Sequence, residues 1–276
     1  NTPNAIMAMD TKLITQQANE RGLDTLVLET HRDAGREERM LSSLVRMGVA
    51  GAIFTARPIN ERLTISAARR LPLVIISNRK NDAELDLVTT DDHRVGVMIA
   101  DHLLSLGHRN VAFVEIGRQW QGIPISQRLV GVQERFREFP GARLTVYSMV
   151  APNTLRPGSF IETREMARKT AEECLKDPRL TAFICISDYC AYGVMDALAE
   201  RGLRVPEDYS VCGLDDMFPS SLPGVALTSI DRHPVEIGVS SFELLWQRIC
   251  SAGDPPRTHV TRVEYLSNLI DRGSCA

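Results

Sequence analysis

The sequence lacks the excess of basic residues with which nucleic-acid-binding domains neutralise phosphates. Its 276 residues include 32 lysines and arginines against 35 aspartates and glutamates, a formal net charge of −3. Phosphate neutralisation supplies most of the affinity of such domains. We therefore expect that this chain does not bind DNA tightly by itself.

Long apolar runs and enzyme motifs are also missing. No run approaches the ~18 apolar residues that a membrane span needs, and no secretory signal peptide is visible. The sequence has no Gly-x-Gly-x-x-Gly, no Gly-Lys-Ser/Thr phosphate loop and no Gly-x-Ser-x-Gly. Its six histidines show no metal-binding spacing such as His-Glu-x-x-His. These absences predict a chain that is not an enzyme, needs no cofactor or metal and has no membrane partner.

The six cysteines do not form a Cys-x-x-Cys pair, and Cys185 and Cys212 lie inside apolar runs. Free cysteine is commonly buried. We interpret all six as small buried hydrophobes of a protein in a reducing compartment, which predicts a cytoplasmic location.

Short β-branched runs alternate with amphipathic stretches of helical period along the chain. The strand candidates before residue 117 are Thr25–Glu29, Gly51–Thr55, Pro72–Ser77, Asp86–Thr90 and Asn110–Ile116. A linker-like stretch, Gly117–Ser126, precedes a second series with strand candidates at Leu144–Val150, Ala182–Ile186 and Tyr209–Leu214. This alternation predicts an α/β fold of two similar lobes, each a mostly parallel sheet flanked by helices, with a cleft between them.

Two polar residues lie where open α/β sheets bind ligands, beyond strand ends and near helix N-termini. Asp188 follows a predicted strand and precedes a helix, so it either caps that helix or accepts hydrogen bonds from ligand hydroxyls. Arg128 lies in the first turn of a helix beginning at Ser126, where a cation opposes the helix dipole at a cost of ~0.3–1 kcal/mol. Its planar fork of donors favours a bound partner, the alternative being a solvated surface arginine.

Three further features have two interpretations each. Asp215 and Asp216 end a predicted strand, where they either form a turn or contact a ligand. Trp120 lies in a polar loop, where its ring either stacks on a sugar or covers a lobe edge. Asp91–His93 is the only cluster of acids with histidine, and its place at a helix start favours capping over catalysis.

Several segments, in order along almost the whole chain, resemble the lactose-repressor/galactose-repressor family of transcriptional regulators. The segment from Val88 to Val114, with its Asp-Asp-His-Arg-Val-Gly run, is similar to the family's strand–helix–strand signature. Arg128-Leu-Val-Gly131 resembles its Arg-x-x-Gly motif. Ser187-Asp-Tyr-Cys-Ala-Tyr-Gly193 is similar to its Asn-Asp-x-x-Ala-x-Gly segment, and Val211-Cys-Gly-Leu-Asp-Asp216 to its Val-x-Gly-Phe-Asp-Asp segment. Each motif is weak alone, and their joint order makes the resemblance specific.

This resemblance implies a periplasmic-binding-protein-like fold with the ligand between two lobes. Residues 1–116 and 232–265 would form the N-terminal lobe, and residues 117–231 and 266–276 the C-terminal lobe. The family's ligand positions map best onto Arg128 and Asp188. The other positions implied to contact a ligand are Ser77, Arg232, Ile6, Met7, Trp120 and Asp215.

The sequence departs from the family at two places. Asn1–Asn4 aligns just after the family's first strand, so we expect the given chain to be trimmed there. The loop Ala151–Phe160 is longer than usual where the family has a ligand-stacking aromatic residue. Pro152, Asn153, Arg156 and Pro157 lie in it instead.

The predicted function is that of the effector-binding domain of a transcriptional repressor. A small carbohydrate in the cleft would change the lobe orientation within a homodimer, and DNA would bind only through a helix-turn-helix head that is not in this chain. Arginine and aspartate clamps suit polyhydroxy ligands, with nucleobases and sugar phosphates as alternatives. A second class of function remains open: a secreted sugar-binding protein of an ABC transport system, which shares the fold. The unpaired cysteines and the regulator-like motifs favour the repressor.

Overall fold

The structure is a computed structural model that describes residues 5–31, 33–77, 85–116, 126–149, 160–251 and 260–276. The helices in chain order are α1 (Ala5–Glu20), α2 (Ala34–Met47), α3 (Glu61–Ala68), α4 (Asp92–Ser105), α5 (Gln127–Glu138), α6 (Phe160–Cys174), α7 (Asp188–Glu200) and α8 (Pro234–Cys250). The strands are β1 (Ala52–Phe54), β2 (Leu73–Ser77), β3 (Asp86–Thr90), β4 (Asn110–Ile116), β5 (Arg143–Met149), β6 (Ala182–Cys185), β7 (Ser210–Cys212), β8 (Ser229–Asp231), β9 (Arg262–Tyr265) and β10 (Asn268–Ile270). A short 3-10 helix spans Phe218–Ser221. The predicted α/β class is confirmed.

The chain divides into two compact units. Residues 5–91 and 233–266 form the first, here called the N-terminal unit, and residues 92–232 and 267–276 form the C-terminal unit. The first division between these compact units lies after residue 91, whereas the family resemblance implies a lobe boundary after residue 116. The reason is that β4 pairs with β5 and β6, and α4 packs on α5, so both belong to the C-terminal unit.

The C-terminal unit is built on a parallel sheet of order β5-β4-β6-β7, with the antiparallel pair β10-β8 beside it. Successive side chains of a strand point to opposite faces, and both faces here are apolar. In β4, Val111 and Phe113 pack with α4 and α5, whereas Ala112 and Val114 pack with α6 and α7. The sheet is thus buried on both sides, as a continuous apolar strand pattern predicts.

The N-terminal unit has a parallel sheet of order β1-β2-β3-β9. Leu73 and Ile75 of β2 pack with α2 and α3 on one face, and Val74 packs with α8 on the other. The buried Asp86 at the start of β3 forms an ion pair with Arg248 of α8 and accepts a hydrogen bond from Thr261 N at 2.7 Å. No helix among the described residues is long and apolar enough to cross a bilayer.

The strand predicted at Thr25–Glu29 is not formed. A β-strand needs a neighbour for its backbone hydrogen bonds, and no described strand pairs with this segment. Leu26 and Val27 are each 58% exposed, and a groove of about 330 Å³ is lined by this segment together with β1, α1 and α2. The apolar composition that predicted a buried strand therefore remains largely in contact with solvent.

Two glycines let α4 and α5 approach closely, and their replacement gives a first prediction. A Cβ atom on Gly96 would lie 2.0 Å from Arg128 O, and one on Gly131 would lie 2.1 Å from His93 O. Because both obstacles are backbone atoms, the helices would have to separate. We expect Gly96→Ala to destabilise the C-terminal unit by about 1–3 kcal/mol or more, measured by urea unfolding. Gly224→Ala is the matched control, since nothing lies within 4 Å of its added Cβ. Equal stability of the two variants would contradict this account of the helix contact.

Candidate functional site

The candidate site of the C-terminal unit lies at the carboxyl edge of its sheet. Strands β6 and β7 are parallel neighbours, so the segments that follow them, with Asp188 and Asp215, emerge at the same edge. The N-termini of α4 and α5 bring Asp92 and Arg128 to these segments. Strand ends and helix N-termini are where open α/β sheets bind ligands.

Four charged side chains form an ion cluster at this edge, here called the Arg–Asp cluster: Asp92, Arg128, Asp215 and Arg232. Arg128 Nε lies 3.2 Å from Asp92 Oδ2, and Arg128 Nη1 lies 3.5 Å from Asp215 Oδ1. Arg232 Nη2 lies 3.3 Å from Asp92 Oδ1, and Arg232 Nη1 lies 3.5 Å from Asp215 Oδ1. Each arginine thus bridges both carboxylates, and the four formal charges sum to zero.

The cluster is mostly withdrawn from water. The Asp92 side chain is 2% exposed, and the other three side chains are between 9% and 13% exposed. Burial alone would lower the pKa of Arg128, but the charges of Asp92 and Asp215 raise it above its ordinary value. Arg128 Nη1 also donates to Ile186 O at 2.9 Å, which fixes the guanidinium against the end of β6. The two planar guanidinium groups and the two carboxylates of the cluster therefore place hydrogen-bond donors next to hydrogen-bond acceptors.

Asp188 is fully buried and acts as a hub of hydrogen bonds. Its Oδ1 accepts from Asp215 N at 3.1 Å and from Ser229 Oγ at 2.6 Å. Its Oδ2 accepts from Met217 N at 2.8 Å and from Ser220 Oγ at 2.5 Å. Burial and the nearby Asp215 charge raise the pKa of Asp188, against the effect of these donors. The helix cap considered for Asp188 is supplied by Ser187, whose Oγ accepts from Cys190 N.

Ser229 links this hub to the Arg–Asp cluster. Its Oγ donates to Asp188 and accepts from both Asp215 N at 3.1 Å and Asp216 N at 3.0 Å. Asp216 has a φ of +45°, and its carboxylate pairs with Arg272 at 2.5 Å. The turn after β7 is thereby held in one conformation, which orients the carboxylate of Asp215 toward the two arginines. Asp216 therefore has the turn role that the sequence left open.

Of the remaining predicted site residues, three lie in the N-terminal unit and Trp120 lies outside the described residues. Ser77 ends β2 in the N-terminal unit, where its buried Oγ makes no hydrogen bond with any described residue. Ile6 and Met7 lie in the first turn of α1 and are half-buried. Trp120 and the loop residues Pro152, Asn153, Arg156 and Pro157 lie outside the described residues. The structure thus brings together Arg128, Arg232, Asp215 and, behind them, Asp188.

The part that Asp92 plays in this cluster is not predicted from the sequence. Asp91–His93 lies between a strand and a helix, a position that favours a helix cap. The only local signal is a carboxylate in the first helical turn. This signal is ambiguous, because the helix dipole stabilises an acid there without any partner outside its own helix. What placed Asp92 in the site was its contact with two arginines 36 and 140 positions away along the chain, which no local pattern contains.

Comparisons with known proteins identify the family of the chain. The family model described as a periplasmic binding protein-like domain matches residues 100–275, which is more than half of the chain. An arabinose metabolism transcriptional repressor of Geobacillus stearothermophilus is 31% identical over 241 residues, which are 83% of this chain and 63% of the relative. The transcriptional regulator DegA of Bacillus subtilis is 29% identical over 82% of this chain and 65% of its own length. The chain thus spans just under two thirds of the length of these two curated relatives.

Solved structures share the fold. A LacI family transcriptional regulator from Enterococcus faecalis with bound ribose superposes with a TM-score of 0.79, covering 100% of this chain and 97% of that one at 23% identity. An uncharacterized protein from Actinobacillus succinogenes gives a TM-score of 0.83 over 100% and 96% of the two chains, at 21% identity. The matched family model, together with the curated repressor and regulator relatives, shows that the chain belongs to the lactose-repressor (LacI) family and carries its periplasmic binding protein-like domain.

Proposed function

We propose that this chain is the effector-binding part of a transcriptional repressor and that its effector is a small carbohydrate bound at the Arg–Asp cluster. The observation that carries the proposal is the pairing of two buried arginine forks with two carboxylates at one sheet edge. A hydroxyl group can accept from a guanidinium and donate to a carboxylate at once, so adjacent hydroxyls of a sugar match such an arrangement. Nucleobases and sugar phosphates are the alternatives.

The names of relatives support this class of ligand and this activity. One curated relative is a repressor of arabinose metabolism, and one solved neighbour holds ribose. Another, from Alkaliphilus metalliredigens, is complexed with D-xylulofuranose, with a TM-score of 0.78. Because the curated relatives are transcriptional regulators, a repressor is favoured over a secreted sugar-binding protein of a transport system.

The proposal extends to partners that this chain would meet in the whole protein. A helix-turn-helix head would bind the operator, and a homodimer of the chain would align two heads on a two-fold symmetric site. Such a repressor acts on chromosomal DNA, which requires a cytoplasmic location. Effector binding would change the operator affinity by a coupling free energy of about 1–3 kcal/mol. No reaction of the ligand is part of the proposal.

Ser77 is retained as a ligand contact in the proposal on the family resemblance alone. Ile6, Met7 and Trp120 are retained as apolar contacts on the same ground.

The test is thermal unfolding of this chain against a panel of pentoses, hexoses, polyols, sugar phosphates and purines. A ligand at about 100 times its dissociation constant stabilises the protein by about 2.7 kcal/mol, which raises the midpoint by several degrees. We expect a pentose or hexose to give that shift. The thermal shift should be lost in Asp215→Asn. It should be kept in the control Asp196→Asn, which changes a surface carboxylate of α7 that pairs with Arg164 of α6.

Two outcomes of the panel would overturn the proposal. A shift from purines alone would replace the carbohydrate by a nucleobase effector. A carbohydrate shift that survives in Asp215→Asn would place the ligand away from the Arg–Asp cluster.

A further inference from the structure

Two cysteines of the C-terminal unit face each other without forming a disulfide. Cys212 ends β7, and Cys275 lies in the chain segment that runs beside this strand. Val211 N donates to Ser274 O at 2.8 Å, and Ser274 Oγ donates to Val211 O at 2.6 Å, so the two segments are held in register. The sulfur atoms of Cys212 and Cys275 are 3.8 Å apart. Two-electron oxidation of this pair would join the sulfurs at a distance of about 2.05 Å.

A histidine, His102 of α4, lies beside the Cys212–Cys275 pair and interacts with the Cys275 sulfur. The charged and titratable groups that face Cys275 among the described residues are His102 on α4, Cys212 on β7 and Asp271 in its own segment. The His102 Nε2 atom is buried, lies 3.9 Å from Asp271 Oδ1 and makes no well-aligned hydrogen bond with a described residue. Contact with Cys275 raises the pKa of His102.

The surroundings of Cys275 favour its thiolate form. The adjacent Cys212 sulfur and the positive charge of His102 stabilise the negative sulfur, and they lower the pKa of Cys275 to about 6 despite burial. Burial has the opposite result at Cys174, where it raises the pKa of the thiol to about 12. A thiolate, not a thiol, is the nucleophile in cysteine oxidation. Cys275 is also partly exposed, whereas Cys212 is fully buried, so a small oxidant reaches Cys275 first.

We propose that Cys275 is a site of oxidation by hydrogen peroxide and that Cys212 converts the product to a Cys212–Cys275 disulfide. In the first step the Cys275 thiolate attacks one peroxide oxygen, forms a sulfenic acid and releases hydroxide, with sulfur oxidised and peroxide reduced. In the second step the Cys212 sulfur attacks the sulfenic sulfur, and the Cys212 proton leaves with the hydroxyl group as water. The imidazolium of His102 stabilises the thiolate before the first step.

The site would tie the turn that carries Asp215 to the end of the chain, since Cys212 lies three positions before that residue. The new bond closes a loop of 63 positions, which restricts the unfolded chain. We therefore expect the oxidised protein to unfold several degrees above the reduced one.

The experiment treats the reduced native protein with a small excess of hydrogen peroxide, then alkylates the remaining thiols after unfolding. We expect alkylation of four of the six cysteines, together with a peptide pair joined through Cys212 and Cys275 in a non-reducing digest. Cys250→Ser is the matched control, because it removes an exposed cysteine and should leave the cross-link unchanged. In Cys212→Ser, the sulfenic acid at Cys275 should persist and react with dimedone.

The rate of Cys275 oxidation should rise with pH around a midpoint of about 6, and His102→Gln should move that midpoint upward. First oxidation at Cys250, or a cross-link that excludes Cys275, would overturn the proposal. An unchanged midpoint in His102→Gln would overturn the role of the histidine. Because all readouts use the unliganded chain, their failure is distinct from a failure of the carbohydrate panel.

Discussion

Replacement of Asp188 by alanine is expected to destabilise the C-terminal unit by about 3–5 kcal/mol, a large share of the total stability of a domain. The change removes the acceptor of four hydrogen bonds at a fully buried position. Each donor left without a partner costs about 1–3 kcal/mol. One of them is the backbone N–H of Met217, which cannot turn toward another acceptor, whereas the N–H of Asp215 keeps Ser229 Oγ as a second acceptor. The measurement is urea unfolding followed by circular dichroism.

Asp188→Asn tests the same hub without a change of shape. Hydroxyl groups of Ser220 and Ser229 can reverse their roles and accept from an amide, but a backbone N–H cannot. Whichever carboxylate oxygen is replaced by NH₂ therefore faces either Asp215 N or Met217 N. We expect a loss of about 1–3 kcal/mol. A smaller loss than in Asp188→Ala would fit, whereas native stability in Asp188→Asn would contradict the hub.

Arg128→Met should be the second severe change. Removal of one cation leaves Asp92 and Asp215 facing Arg232 alone in a mostly buried place. Removing one partner of a buried ion pair typically costs about 3–5 kcal/mol, because an uncompensated charge stays behind. Arg135→Met on the same helix is the control, since Arg135 pairs with Asp101 and Glu138 at the surface and should contribute little.

A double variant separates charge imbalance from lost packing. Arg128→Met combined with Asp92→Leu leaves one cation, Arg232, and one carboxylate, Asp215, which remain paired at 3.5 Å. We expect the double variant to be more stable than Arg128→Met alone, because the net charge of the cluster returns to zero. Exact additivity of the two single changes would contradict the energetic coupling of Arg128 to Asp92.

Much of the fold could be predicted from periodicity because the strands of the C-terminal unit are apolar on both faces. In β4, Val111 and Phe113 face one helix layer, and Ala112 and Val114 face the other. The continuous apolar run of these residues in the sequence predicts such a strand with two buried faces. Thr25–Glu29 has the same composition and yet forms no strand, because a strand also needs a neighbour to receive its hydrogen bonds. The composition of a segment indicates its tendency to form a β-strand, but it does not show whether a neighbouring strand is present to pair with it.

The candidate site was only partly predictable for a related reason. Arg128 and Asp215 occupy ends of elements that the sequence identified, and the family motif marked Arg128. Asp188 looked similar, but its oxygens are occupied by Ser220, Ser229 and two backbone groups. Those donors come from segments up to 41 positions away. Whether a carboxylate holds the turn or faces a ligand depends on contacts that a linear pattern does not contain.

The most direct test of the account is calorimetric titration of the native chain with the carbohydrate that gives the largest thermal shift, repeated with Arg232→Lys and Arg135→Lys. Lysine keeps the charge but loses the planar fork that bridges Asp92 and Asp215. If the carbohydrate binds at the Arg–Asp cluster, Arg232→Lys loses at least tenfold in affinity, about 1.4 kcal/mol, and Arg135→Lys keeps the native affinity. Equal affinities in all three proteins would contradict binding at the Arg–Asp cluster.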